Sequence, residues 1–124
     1  MVVDEKTDFR EIARKGGMVL SYRAGDFIFR DGDTASCMYV VLKGSVEMSM
    51  RNTTYATIPE GRPFGMLSLI DKKPRANTAR AKEDCELALL DERTFRVMLE
   101  ETPGFLWYVI NEFAARLRAT NALV

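Results

Sequence analysis

Between Met18 and about Asp91 the chain cannot go far before a turn signal stops it. "AGD" stands at 24–26, "RDGD" at 30–33, "KGS" at 43–45, "RNT" at 51–53 and "PEGRP" at 59–63. Apolar runs this short, punctuated this often, suit an all-β sandwich or barrel. Phe27 to Phe29, Met38 to Leu42, and Val46, Met48 and Met50 supply strand cores, the last set in clean alternation, and Thr54 to Ile58 and Glu86 to Leu90 read as further strands. Alternation also assigns the methionines of 46–50 to core filling.

Helical periodicity frames this region. From Asp4 to Lys15 the pattern places Phe9, Ile12 and Ala13 on one face, with acids early, Arg14 and Lys15 late, and Gly16-Gly17 as a stop. After the strands, "ERTFRVMLEETP" predicts a short helix closed near Pro103. Leu106, Ile110, Phe113 and Leu117 then form one stripe of a last helix, which seals the roll, pairs with a second copy, or does both. Trp107 is expected to pack against the roll. At 124 residues the chain is expected to be one domain, with a helix over 4–17, strands over 18–91 and helices over 92–124.

Several function classes drop out. The sequence contains no histidine, which removes Ser/His/Asp and Cys/His catalysis and HExxH zinc chemistry. With no GxxxxGKS loop either, no enzyme is expected. The 18 basic and 18 acidic side chains balance, so no general attraction to nucleic acid or anionic membrane is expected. No apolar run is long enough for a bilayer, no basic–apolar–small signal opens the chain, and a cytoplasmic location is expected. Cys37 and Cys85 are far apart without CxxC spacing and read as two buried, reduced thiols. Asp31-Gly32-Asp33 lacks the remainder of a calcium loop and reads as a tight turn.

One stretch carries chemistry: "FGMLSLIDKKPRANTAR" at 64–80. Gly65 precedes an apolar run, Met66 to Ile70, sufficient for a turn or two of helix, whose leading N–H groups favour an anion. Arg75, behind Pro74, could add a bidentate fork to phosphate oxygens.

The residues of this stretch stand in order with "AGDFIFRDGD", "MYVVLKGSVE", "IPEGRPFG", "KPRANTARA" and "CELALLDERTFRVMLEETP" over nearly the full length. Together they resemble the cyclic nucleotide-binding domains of catabolite activator protein, cyclic-nucleotide-dependent protein kinase regulatory subunits and gated channels. The resemblance implies a mainly β fold: a β-roll or jelly-roll of about eight strands, one N-terminal helix, a short cassette helix and two C-terminal helices. It implies a phosphate-binding cassette over 64–76, opened by Phe64 and Gly65, with Leu67, Ser68 and Leu69 in its helix. Arg75 matches the arginine that grips the cyclic phosphate, and Ala76 and Asn77 offer further contacts. Thr120 and Asn121 fall where family members approach the base, and the last helix acts as a lid and as a homodimer seam. The implied ligand is cAMP or cGMP, with no other cofactor and no metal.

Met66 departs from the pattern. The family usually has a glutamate there that accepts a hydrogen bond from the ribose 2′-hydroxyl, and a thioether cannot replace it. A bond to a charged group contributes roughly 1.5 to 3 kcal/mol, about ten- to a hundredfold in affinity. Weakened binding is therefore expected, through a sensor in which ligand favours a docked last helix. The alternatives are a non-binding structural or dimerising relative with Met66 closing the ribose site, and the sensor half of a transcription regulator. Because Val124 coincides with the end of the expected lid helix, no helix-turn-helix is expected after it. A lesser departure is Arg62, where the family often has an acid; it reads as a solvated side chain.

Overall fold

The computed structural model describes residues 2–122. The elements run α1 (Arg10–Gly16), β1 (Met18–Tyr22), β2 (Phe27–Phe29), β3 (Cys37–Lys43), β4 (Val46–Met50), β5 (Thr53–Ile58), β6 (Pro63–Phe64), α2 (Leu67–Asp71), β7 (Thr78–Ala81), β8 (Cys85–Asp91), α3 (Glu92–Glu101) and α4 (Phe105–Asn121). The strands form two antiparallel four-stranded sheets, ordered β1-β8-β3-β6 and β2-β7-β4-β5. This is the jelly-roll architecture with flanking helices that the turn spacing and the resemblance imply.

The difference between the two sheets is written in their strands. β3 is apolar almost throughout, and its alternate residues enter different cores. Met38, Val40 and Leu42 join the cluster under the helices, while Tyr39 and Val41 join the cluster between the sheets. A strand covered on both faces must be a continuous apolar run. β4 has only one face to bury, so Val46 and Met48 go inward while Glu47 and Ser49 stay half-exposed.

The helical cluster is dominated by Phe9, Phe105 and Tyr108, whose ring centroids lie 4.7 to 6.3 Å apart. α1 docks through Phe9 and Ala13, α3 through Phe95 and Met98, and α4 through Phe105, Tyr108 and Val109. The N-terminal segment is tied to the turn before α4 by the Val3 amide, which donates to the Pro103 carbonyl at 2.8 Å.

Three expectations need correction. The first helix begins at Arg10 rather than Asp4, because the Asp4 amide donates to Thr7 Oγ1 at 2.9 Å and the Lys6 amide to Asp4 Oδ1 at 2.8 Å. Such local side-chain bonds hold a turn that competes with helix. The stripe of α4 is out of phase by one residue: of its members only Phe113 packs on the core, and Leu106, Ile110 and Leu117 are exposed. Trp107 is likewise 68% exposed, because the helix docks through Phe105, Tyr108 and Val109 instead. Met1 and the last two residues of the expected 92–124 segment lie outside the described residues. Among the described residues no helix is long and apolar enough to cross a membrane.

Candidate phosphate-binding site

Arg75 is positioned by its backbone before its side chain is considered. Its amide donates to the Asp33 carbonyl at 2.8 Å, and its carbonyl accepts from the Gly32 amide at 2.7 Å. The loop before β7 is thus clipped to the tight turn after β2, where Asp33 Oδ2 accepts from the Arg30 amide at 2.8 Å. The side chain then runs inward to only 5% exposure. Nη1 donates to the Gly65 carbonyl and Nη2 to the Cys37 carbonyl, both at 2.7 Å, and the guanidinium carbon lies 4.1 Å from the centre of the Phe29 ring.

Two features of this arrangement matter chemically. Arg75 joins no ion pair among the described residues, so its charge is met only by carbonyl dipoles and aromatic faces. Its Nε is buried without a hydrogen-bond partner. Burial pushes the guanidinium below its ordinary pKa, yet arginine stays charged throughout the working pH range. A buried cation with an unused donor is costly to keep and suited to an anion.

Gly65 is required at this point. Its φ is +80°, and a Cβ there would stand 2.9 Å from Arg75 Nη1. Phe64 fixes its backbone from below, fully buried and stacked on Tyr39 at 5.3 Å.

Gly65, Met66, Leu67, Ser68, Arg75, Ala76 and Asn77 all line one hollow, so the chain brings seven of the ten expected site residues together. The hollow holds only about 30 Å³, the share of one water molecule in the liquid. Phe64 supports it without lining it. Thr120 lines an adjoining apolar cleft of about 370 Å³ between α4, β5 and the cassette, and its hydroxyl donates to its own helix at the Arg116 and Leu117 carbonyls. Asn121 lies exposed at the end of α4 and lines neither cavity. Met66 is fully buried and packs with the helical cluster, its apolar side chain satisfied by Leu69 and its neighbours.

Arg116 is the residue that motif reading misses. It lines both cavities, donates from Nη2 to the Pro63 carbonyl at 3.0 Å, and stands 3.6 Å from Glu112 on the preceding turn. Its helical spacing from Tyr108 and Glu112 was the available signal, since a charged residue in line with a buried face must reach a partner.

Smaller corrections follow from the same region. Cys37 is half-buried rather than buried, whereas Cys85 is buried and its thiol is pushed up to about 11 by that burial. Arg62 is not merely solvated: its Nη1 donates to the Tyr108 hydroxyl at 3.2 Å. Beside these corrections, Lys72, in the left-handed position that ends α2, pairs with Glu92.

The family model described as the cyclic nucleotide-binding domain matches residues 19–102. The chain belongs to that family. A cAMP-dependent protein kinase regulatory subunit from Debaryomyces hansenii is 33% identical over 104 residues, covering 82% of this chain and 22% of that protein. A solved structure described as "Sp-2Cl-cAMPS bound to PKAR CBD2" superposes with a TM-score of 0.76 at 25% identity, covering 90% of this chain and 75% of the other. The catabolite activator protein of Thermus thermophilus gives 0.75 at 27%, over 90% of this chain and 55% of that one. The chain spans 16 to 22% of the length of the curated regulatory subunits it matches. It is a cyclic nucleotide-binding domain of the regulatory-subunit and catabolite-activator type.

Proposed function

We propose that this domain is a regulatory sensor that takes cAMP or cGMP with reduced affinity, gripping the cyclic phosphate through Arg75. The observation that carries this reading is the buried guanidinium that, among the described residues, no carboxylate neutralises and whose Nε lacks a partner. A purely structural arginine at 5% exposure would sit more cheaply beside an acid. The cyclic phosphate supplies the missing negative charge, the Gly65 and Ala76 backbone frames it, and the base extends into the apolar cleft under Phe113, Leu117 and Thr120. Reduced affinity follows from Met66, which brings no acceptor for the ribose hydroxyl and lies in the core.

Ligand pockets usually occupy roughly 300 to 1,000 Å³, so the hollow of about 30 Å³ takes a nucleotide only together with the adjoining cleft of about 370 Å³, and the phosphate end of the site is narrow in this state. In it α4 is already docked, with Arg116 bonded to Pro63. Because α4 is docked already, the expected docking by ligand becomes a re-seating: ligand entry breaks the Arg116–Pro63 bond and seats α4 over the nucleotide, and this movement is the signal. The exposed Leu106 and Ile110, spaced along one face of α4, fit a homodimer seam through the same helix.

Calorimetric titration of cAMP and cGMP into the wild type and Arg75→Ala tests the reading. Binding in the micromolar to millimolar range, lost in the variant, is expected. A scaffold reading has the closed hollow in its favour. It stands if neither nucleotide gives heat at 5 mM in the wild type or in Arg116→Ala, which frees the cavity.

A further inference from the structure

The outward face of the β2-β7-β4-β5 sheet carries a second concentration of positive charge, away from the Arg75 hollow. Phe27 on β2 pairs in register with Arg80 on β7, which pairs with Glu47 on β4. Phe27 is 41% exposed and holds two guanidinium groups against its ring, the carbon of Arg30 at 4.1 Å and that of Arg80 at 5.3 Å from the centroid. Arg80 is fixed a second time, by donation from Nε to the Gly25 carbonyl at 2.9 Å. Arg51, from the β4–β5 turn, completes a concavity of about 430 Å³.

None of these three arginines joins an ion pair among the described residues, although Arg10, Arg96 and Arg116 each do. Asp31 and Glu47 also line the concavity, but the Glu47 carboxylate accepts from Thr54 Oγ1 at 3.2 Å and neither acid pairs with a guanidinium. Three guanidinium groups against two carboxylates leave the lining with a net charge of +1 in a chain whose net charge is zero. Their mutual repulsion raises the local potential, and each planar fork matches phosphate oxygens bidentately. One phosphate can accept from more than one fork, and linked phosphoryl groups can reach forks set apart around a concavity of about 430 Å³.

We propose that this concavity is a binding site for a polyphosphate-bearing small molecule, of the chemical class of nucleoside di- and triphosphates, with Arg30 and Arg80 as the preset forks and Phe27 as their platform. The site is independent of the cyclic-phosphate reading. It adjoins that site through the turn after β2, whose Gly32 amide donates to the Arg75 carbonyl, and through Met50, which lines both the concavity and the apolar cleft.

Inorganic tripolyphosphate is the probe, titrated by calorimetry and by amide chemical shifts at low salt. Saturable binding is expected, with shifts centred on residues 27–31, 47–54 and 78–80. Arg30→Ala and Arg80→Ala each weaken it about tenfold, the loss of one charge-assisted contact, and Phe27→Leu weakens it less. Both arginines are exposed, so these variants keep the fold, which circular dichroism checks. Arg75→Ala leaves tripolyphosphate binding unchanged while abolishing cyclic nucleotide binding, which separates the two sites. The proposal is overturned by silence at 10 mM, by equal affinity in the Arg30→Ala/Arg80→Ala double variant, or by a hexaglutamate peptide that binds as tightly as tripolyphosphate.

Discussion

Met66 and Arg75 pose opposite questions at the same hollow. Arg75 is a charge held in the interior without an acid, and Met66 is an apolar side chain at the position where the family keeps one. Because Met66 is fully buried in the helical cluster, replacing it with glutamate does not simply restore a ribose contact. Met66→Glu buries a carboxylate in the helical cluster unless the side chain turns outward, and a buried unpaired charge costs about 3 kcal/mol or more. Urea denaturation should show that loss in the absence of ligand and recover part of it with 5 mM cAMP. Unchanged stability would mean that a carboxylate at position 66 turns into the hollow that Met66 lines and escapes the cluster. Motif order made Gly65 and Arg75 legible in the sequence. It could not reveal that the fork closes on the Gly65 and Cys37 carbonyls, because the Cys37 partner lies 38 positions away and belongs to the fold, not to the cassette.

At the scale of elements, the strands were the most legible part, and the reason is physical. β3 and β4 differ in burial on one face or two, and that difference is printed directly as a continuous run or an alternation. The buried face of α4 was left open in the sequence for the converse reason. Phe105, Tyr108 and Val109 form one apolar stripe, Leu106, Ile110 and Leu117 another, and Phe113 adjoins both. When apolar residues cover most of a helix, periodicity identifies the helix but leaves its phase free. α3 is better determined, because Asp91 caps it by accepting from the Thr94 amide at 2.8 Å. That bond holds the Asp91 carboxyl below its usual 3.8. A depressed folded-state value makes the contribution to stability full above the unfolded pKa and lost as pH falls through the folded one. Asp91→Ala should therefore melt lower than the wild type at pH 7, and the gap should shrink below about pH 3. A gap constant from pH 7 to pH 2 would show that the ionised carboxylate is not the cap.

For the molecule as a whole, α4 is where ligand site and surface meet. Its buried face closes the hollow and its exposed face offers Leu106 and Ile110 to a second copy, while Leu117, also exposed, borders the apolar cleft. If that face is a seam, the Leu106→Glu/Ile110→Glu double variant should be monomeric by light scattering at concentrations where the wild type is a dimer. An identical mass for both removes the seam. The inner face rests on a contact that can be weakened without touching Arg75: the Arg116 donation to Pro63 at 3.0 Å, supported by Glu112 at 3.6 Å. A hydrogen bond from a charged group contributes roughly 1.5 to 3 kcal/mol, less where solvent screens it, and Arg116 keeps 16% side-chain exposure. Removing it should raise the population of the open state about tenfold. A ligand that binds only the open state then gains the same factor in apparent affinity, because the cost of opening is already met. Arg116→Ala should accordingly bind cAMP more tightly while its α4 amides exchange faster, read by calorimetry and hydrogen exchange on one sample. Faster exchange with weaker binding would instead make Arg116 a ligand contact, and the closed hollow would then be the space that this arginine leaves when the nucleotide draws it in.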